Sequence, residues 1–362
     1  MSNSNKVLIV GSSGLVGTAA AHSFHDAGWE VVTTSRRKPV FVDESIQHLE
    51  LDLKDPDNCK SAARNLSDVS NVVYAAVYEQ PGVIKGWKDE EQIETNGQML
   101  RNIIDPLAES GSLEHVTVLQ GTKAYGILNQ QMRIPGRENQ PRVEYPNFYW
   151  LQEDYIKEKS AACDFHFSIM RPQVVYGPNY GVNLNPIPVI GAYAAIRHKE
   201  GRPFSFPGTA NVVLEPTDCT LIGDACLWAA CEPKAAGETY NLTNGEVFCW
   251  SDLWPAMAKT MGVVSGDDES ISLVEYLATR GYLWDEIVAE HNLQKLSLEE
   301  LLGESAFYVD WVLAYNAKRT PRPSFVSTVK VKEHGFQDVF DTEKRMCFWL
   351  DYLKEKKILP TF

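Results

Sequence analysis

The sequence predicts an α/β protein, a doubly wound parallel sheet with a smaller, mainly helical C-terminal region, and three observations lead there. Short β-branched runs alternate with helical stretches through the first half of the chain, a glycine-rich turn joins the first strand signal to the first helix signal, and strand signals fade after Trp250. Strands alternating with helices imply βαβ units, whose sheet is covered on both faces and reads as continuous apolar runs.

Each element follows in order. Lys6–Val10 is apolar and rich in β-branched residues, and Gly11, Gly14 and Gly17 lead directly into Ala19, Ala20, Ala21 and Phe24. That order is strand, tight turn, helix. Residues 29–34 and 48–51 read as the second and third strands, 61–66 as a short helix and 71–76 as the fourth strand. A helix carrying Ile93, Met99 and Leu100 leads through Leu107 to a strand at 116–120. Residues 152–162 are predicted helical and 165–170 extended, and Pro172 bars helical continuation. Gly177, Pro178, Gly181, Pro186 and Pro188 predict irregular backbone before a helix at 190–198; a helix at 224–230 and a strand at 240–242 return toward the sheet. The expected division is a cofactor domain over 1–180 with about 210–245 returning to it, a substrate-binding region over 181–209 and 246–330, and a C-terminal segment, 331–362, packing on both.

Bulk properties narrow the function. The 362 residues carry a formal net charge of -14, and the densest basic runs are only Arg36-Arg37-Lys38 and the stretch 354–357, which Glu355 interrupts. Such a chain repels a phosphate backbone, so no nucleic-acid partner is expected. Seven scattered cysteines include no CxxC pair and no histidine at zinc-finger spacing. Free thiols in a reducing compartment are the expectation, with no metal. No apolar stretch approaches the ~20 residues of a spanning helix and no secretory leader pattern opens the sequence, so a cytoplasmic location and no membrane partner are expected. The oligomeric state stays open, a homodimer included.

The glycine spacing Gly11-x-x-Gly14-x-x-Gly17, between a strand and a helix, is the spacing of short-chain dehydrogenases within the Rossmann type. The first glycine permits the turn, the second admits a pyrophosphate, and the third lets helix and strand pack closely. Ser13, Leu15 and Val16 complete the loop. After the second strand, where an NAD site usually presents a carboxylate, stand Arg36 and Arg37. Guanidinium groups pair with a 2′-phosphate that a carboxylate would repel, so NADPH is the predicted cofactor. Asp52 and Leu53, after the third strand, are further cofactor-side candidates, Asp52 equally suited to capping the next helix.

Short-chain dehydrogenases carry Tyr-x-x-x-Lys on one helix. Here Tyr149-x-x-x-Glu153 stands in its place, while Tyr155-x-x-x-Lys159 offers a decoy six residues on. A glutamate near the phenol favours its neutral form, so a positive group has to come from elsewhere. Lys123, just past the strand ending at Gln120, lies at the C-terminal sheet edge where such folds bind substrates.

At these residues the chain resembles a known family. Leu119-Gln120-Gly121-Thr122-Lys123-Ala124-Tyr125, Pro146-Asn147-Phe148-Tyr149-Trp150, Met170-Arg171-Pro172, Val175-Tyr176-Gly177 and Thr243-Asn244-Gly245-Glu246 occur in the order of the progesterone 5β-reductase and iridoid synthase-like reductases, and the similarity runs on to Glu333-His334-Gly335-Phe336. The resemblance implies an atypical extended short-chain dehydrogenase using NADPH to reduce the C=C bond of α,β-unsaturated carbonyl compounds, with Tyr149 and Lys123 catalytic. Thr122 is a candidate for a hydrogen bond to substrate or to the cofactor carboxamide, and Val175 is a further cofactor-side candidate. The string around Lys123 is one residue shorter than the plant pattern and lacks its histidine, and Trp150 replaces a second tyrosine. These departures leave the substrate open beyond a small hydrophobic carbonyl compound. The rival readings are a carbonyl reductase or epimerase on the same fold and a non-catalytic NADPH-binding sensor; only the latter has no need of Tyr149 and Lys123 together.

Overall fold

The computed structural model describes residues 5–80 and 86–362. The chain divides into two compact units: Met1–Gln173 with Cys219–Leu242 and Val326–Asp338, and Val174–Asp218 with Thr243–Phe325 and Val339–Phe362.

The first unit is built on a seven-stranded, all-parallel sheet. Its strands are β1 (Lys6–Val10), β2 (Glu30–Ser35), β3 (Gln47–Glu50), β4 (Asn71–Tyr74), β5 (His115–Leu119), β6 (His166–Pro172) and a last strand, Glu238–Leu242. In space they run last strand, β6, β5, β4, β1, β2, β3. The order reverses between β1 and β4, and a parallel sheet opens its ligand crevice beyond the C-terminal ends of strands at such a reversal. Both the glycine loop and the residues following β4 leave the sheet there.

Helices that cover the sheet include α1 (Leu15–Asp26), α2 (Pro56–Arg64), α3 (Glu90–Ala108) and α4 (Phe148–Cys163). One continuous core joins Leu8, Val72, Val116 and Ile169 of the strands to Leu100, Ile103, Ile104 and Ile156 of α3 and α4. On α1 lies the returning helix Cys219–Cys231, with Ser23 donating to Asp224 at 2.7 Å. The approach demands glycine, because a Cβ on Gly223 would stand 2.8 Å from the Ala19 carbonyl carbon.

Several boundaries differ from the sequence reading. Helix α2 starts five residues early because the Asp55 side chain accepts from the Asn58 amide at 3.0 Å and Pro56 fits the first helical turn. Helix α4 starts four residues early, capped by Asn147, which places Tyr149 in its first turn. Strand β6 runs through Pro172, and Pro186, read as irregular, opens the helix Pro186–Lys199.

The second unit is mainly helical. Trp254 stacks on Phe204 at 4.5 Å between ring centroids, next to Tyr193. Asp218, fully buried, takes two bonds from Arg345 (2.9 and 3.1 Å) and one from the Trp349 indole (2.7 Å), so its charge is compensated where water is absent. Among the described residues no helix is long and apolar enough to cross a membrane.

Candidate active site

The glycine loop has the form its spacing predicts. Gly11 adopts φ +87°, and a Cβ there would lie 2.7 Å from the Ala76 amide nitrogen. A Cβ on Gly17 would stand 2.8 Å from Gly11 C and Ser12 Cα, and closer still to the Gly11 carbonyl oxygen. Gly14 is different, since its Cβ would meet only Gly11 O, at 3.5 Å. It borders open space on the side a pyrophosphate would take. Gly14 caps α1 without a side chain, and the first turn, with Leu15 and Val16, holds no acidic residue. The amides there and the positive end of the helix dipole therefore suit an anion. Ser13 lies in the same loop. Ser12, which the spacing did not single out, ties it down: its hydroxyl bonds Ser35 at 3.2 Å and its carbonyl accepts from Thr18 at 3.0 Å.

Arg36 and Arg37 follow β2 directly, exposed and without an ion pair among the described residues. Asp52 accepts from the Lys54 amide at 3.0 Å and does not cap α2, a task that falls to Asp55. Leu53 is buried, and its carbonyl is held by the Asn102 amide group at 2.8 Å. Val175 belongs to the second unit, in a two-residue strand paired with Thr217–Asp218.

Tyr149 and Lys123 meet around a residue the sequence reading overlooked. Thr122 opens a single 3₁₀ turn, Thr122–Tyr125, which follows β5 and carries Lys123. The Lys123 Nζ lies 3.8 Å from the centre of the Trp87 ring, and the same indole meets the Tyr149 ring edge-on at 5.4 Å. The Trp87 N–H donates to Glu79 at 3.0 Å. A Cβ on Gly121 would stand 3.5 Å from the Tyr149 hydroxyl oxygen. Thus the phenol points at bare backbone, and its hydroxyl bonds no other described residue. The one signal in the sequence that bears on Trp87 is positional: a tryptophan in the connection after β4, at the sheet edge where such folds bind ligands.

Electrostatics give the two groups distinct states. Burial pushes the Tyr149 hydroxyl well above the ordinary phenol range, with Glu79 and Tyr145 adding to the effect and Arg171 opposing it. Tyr149 is a neutral hydrogen-bond donor. Burial pushes the Lys123 ammonium down to about 8 against the pull of Glu79. Tyr145 donates to the Lys123 carbonyl and accepts from Asn147, fixing the turn to the start of α4.

Glu153 does not act on the phenol as expected. It is buried against Arg171 at 2.5 Å and Arg142 at 2.8 Å, and although burial alone would raise its pKa, the two guanidinium groups hold it below the usual carboxylate range. Arg171 also reaches Gln120 (3.1 Å) and Tyr125 (3.3 Å), and Gln120 donates to the Tyr149 carbonyl at 3.2 Å. The decoy pair is occupied elsewhere: Tyr155 and Lys159 both bind Asp105 of α3, at 2.9 and 2.8 Å. Among the described residues no cluster of His, Cys, Asp and Glu is placed to hold a metal.

Comparison with known proteins follows the same lines. A model described as the NAD dependent epimerase/dehydratase family matches residues 7–243. The (S)-8-oxocitronellyl enol synthase of Camptotheca acuminata is 31% identical over 98% of this chain and 93% of its own length. The 3-oxo-Delta(4,5)-steroid 5-beta-reductase of Arabidopsis thaliana is 29% identical over 98% and 92%. Among solved structures, the enzyme WbmH of Bordetella bronchiseptica in complex with NAD+ superposes with a TM-score of 0.66 at 15% identity, covering 97% of this chain and 99% of that one. UDP-glucose 4-epimerase of Thermotoga maritima gives 0.67 at 13% identity, with the same coverage. At such identities the structural likeness concerns the fold alone.

Proposed function

We propose, from the premise that this chain belongs to the NAD dependent epimerase/dehydratase family as an extended short-chain dehydrogenase close to the progesterone 5β-reductase and iridoid synthase-like enzymes, that it is an NADPH-dependent enone reductase. The observation carrying this reading is the neutral Tyr149 hydroxyl facing bare backbone at Gly121, its ring edge-on to the same indole that carries the Lys123 ammonium, in place of a tyrosine with lysine one helical turn away.

The chain's own groups fit the cofactor. The glycine loop and the start of α1 would hold the pyrophosphate, and Arg36 and Arg37 the 2′-phosphate. NADPH, when bound, supplies a hydride. Tyr149 donates its hydroxyl hydrogen bond to the substrate carbonyl oxygen as negative charge develops there, an interaction stronger in the transition state than in the ground state. Lys123 adds positive potential and orients the phenol or the cofactor ribose. Glu153, committed to Arg171 and Arg142, takes no proton from the site. The product is a saturated carbonyl compound, its α-carbon protonated from solvent.

The test is cofactor oxidation across cyclic enones, linear enals and the matching saturated ketones. Enones and enals are consumed and ketones are not. Tyr149→Phe folds and binds NADPH but turns over roughly 10²–10³-fold more slowly, as expected for loss of one donor to a developing oxyanion. Tyr155→Phe keeps wild-type turnover. Reduction of the saturated ketones with the enones untouched would refute the reading, as would an active Tyr149→Phe.

A further inference from the structure

Trp87 makes four contacts that belong together. One face carries the Lys123 Nζ at 3.8 Å, the ring meets Tyr149 edge-on at 5.4 Å and Phe148 at 4.7 Å, and the indole N–H is fixed to Glu79 at 3.0 Å. Trp87 is 5% exposed, so its ring is held on all sides. Lys123, by contrast, has no carboxylate within ion-pair distance among the described residues. Its ammonium is therefore located by an aromatic face, through the attraction of a cation to the ring quadrupole. Such a holder fixes the charge without neutralising it, whereas a salt-bridged carboxylate would cancel the field that a developing oxyanion needs.

We propose that Trp87 is a positioning residue that seats the Lys123 ammonium beside Tyr149, with Glu79 anchoring the indole. This rests on the assignment of Tyr149 and Lys123 as the reacting pair. The connection after β4 thereby contributes to a site whose other members come from the β5 turn and the start of α4. The packing account of the same residue, a tryptophan filling the core beside Phe148, requires no contact with an ammonium group and no effect on turnover.

The full-length protein with lysine labelled with ¹³C at Cε provides the test. A methylene stacked under an indole resonates upfield of solvent-exposed lysines, and Lys123→Arg identifies the signal by its loss. In Trp87→Leu, which keeps an apolar side chain but no ring, the shifted signal moves to the ordinary lysine position. With an accepted carbonyl substrate, kcat falls about five- to tenfold while the KM for NADPH is unchanged. Trp87→Phe, which keeps a π face and serves if the leucine variant folds poorly, retains part of the shift and most of the turnover. An unshifted Lys123 signal overturns the proposal, and so does a shift lost in Trp87→Leu without change in kcat, or a shift kept in Trp87→Phe while kcat falls about tenfold. Turnover is read on whichever carbonyl compound is reduced, so failure of enone reduction would be told apart from failure of the Trp87 assignment.

Discussion

Lys123 shows how one residue's surroundings set its chemistry. An ordinary lysine stays charged to high pH, but burial brings this ammonium down to about 8, with Glu79 the opposing charge and Tyr149 uncharged throughout. The free enzyme's profile of kcat/KM, with NADPH the varied substrate, is expected to be flat on the neutral side and to fall as pH rises through about 8. The sign follows from loss of positive charge. Lys123→Met should lower the plateau and abolish that fall; a basic limb that persists unchanged in Lys123→Met would assign the titration to another group. The sequence singles out Tyr149 and Lys123 because they stand in motifs. Trp87 was not, because a cation over an aromatic ring has no fixed spacing, and Glu153 was misjudged because its partner Arg171 lies on another element.

On α4, helical spacing sets Tyr149 with Glu153 and Tyr155 with Lys159, but Glu153, Tyr155 and Lys159 all bond to other elements. Tyr155 and Lys159 face α3 and Asp105, while Glu153 turns under the sheet edge to Arg171 at the end of β6. Arg171 is the junction that joins β6, the turn carrying Lys123 and the helix carrying Tyr149. Glu153→Ala leaves a buried guanidinium short of its counter-charge, a change that costs roughly 3–5 kcal/mol. A lower urea midpoint at an unchanged slope is the expected result, and the deficit relative to wild type should shrink as pH falls through the carboxylate range, since a carboxyl held low stabilises only while ionised. A midpoint unmoved at neutral pH would show that Gln120 and Tyr125 suffice for Arg171.

The glycine loop and β2 carry the proposed cofactor site. Arg36→Ala with Arg37→Ala should weaken NADPH binding by about 1.5–3 kcal/mol for each charged hydrogen-bonding group lost and leave NADH nearly unchanged. Exposed charges are screened by salt, so wild-type preference for NADPH should also decline with ionic strength. Titration of both cofactors checks this, and equal wild-type dissociation constants would remove the arginines from the site. The strand order and the loop were readable because apolar periodicity and glycine spacing are local. Element starts were less so: Asp55 with Pro56, and Asn147 before Phe148, are capping signals that extend helices beyond their apolar positions.

At the scale of the whole molecule, fold and chemistry separate. The fold is shared with the UDP-glucose 4-epimerase of Thermotoga maritima, and a fold of this kind does not fix the reaction. The proposal of C=C reduction rests on the departure from the usual tyrosine–lysine helix, together with relatives that span nearly the whole chain. The central claim concerns where the hydrogen goes. NADPH deuterated at its reactive position, incubated with the enzyme and an accepted enone, should yield a saturated product with deuterium on the β-carbon and the carbonyl intact, read by NMR of the isolated compound. Deuterium on a carbinol carbon with the C=C bond retained would contradict the account and make this protein a carbonyl reductase.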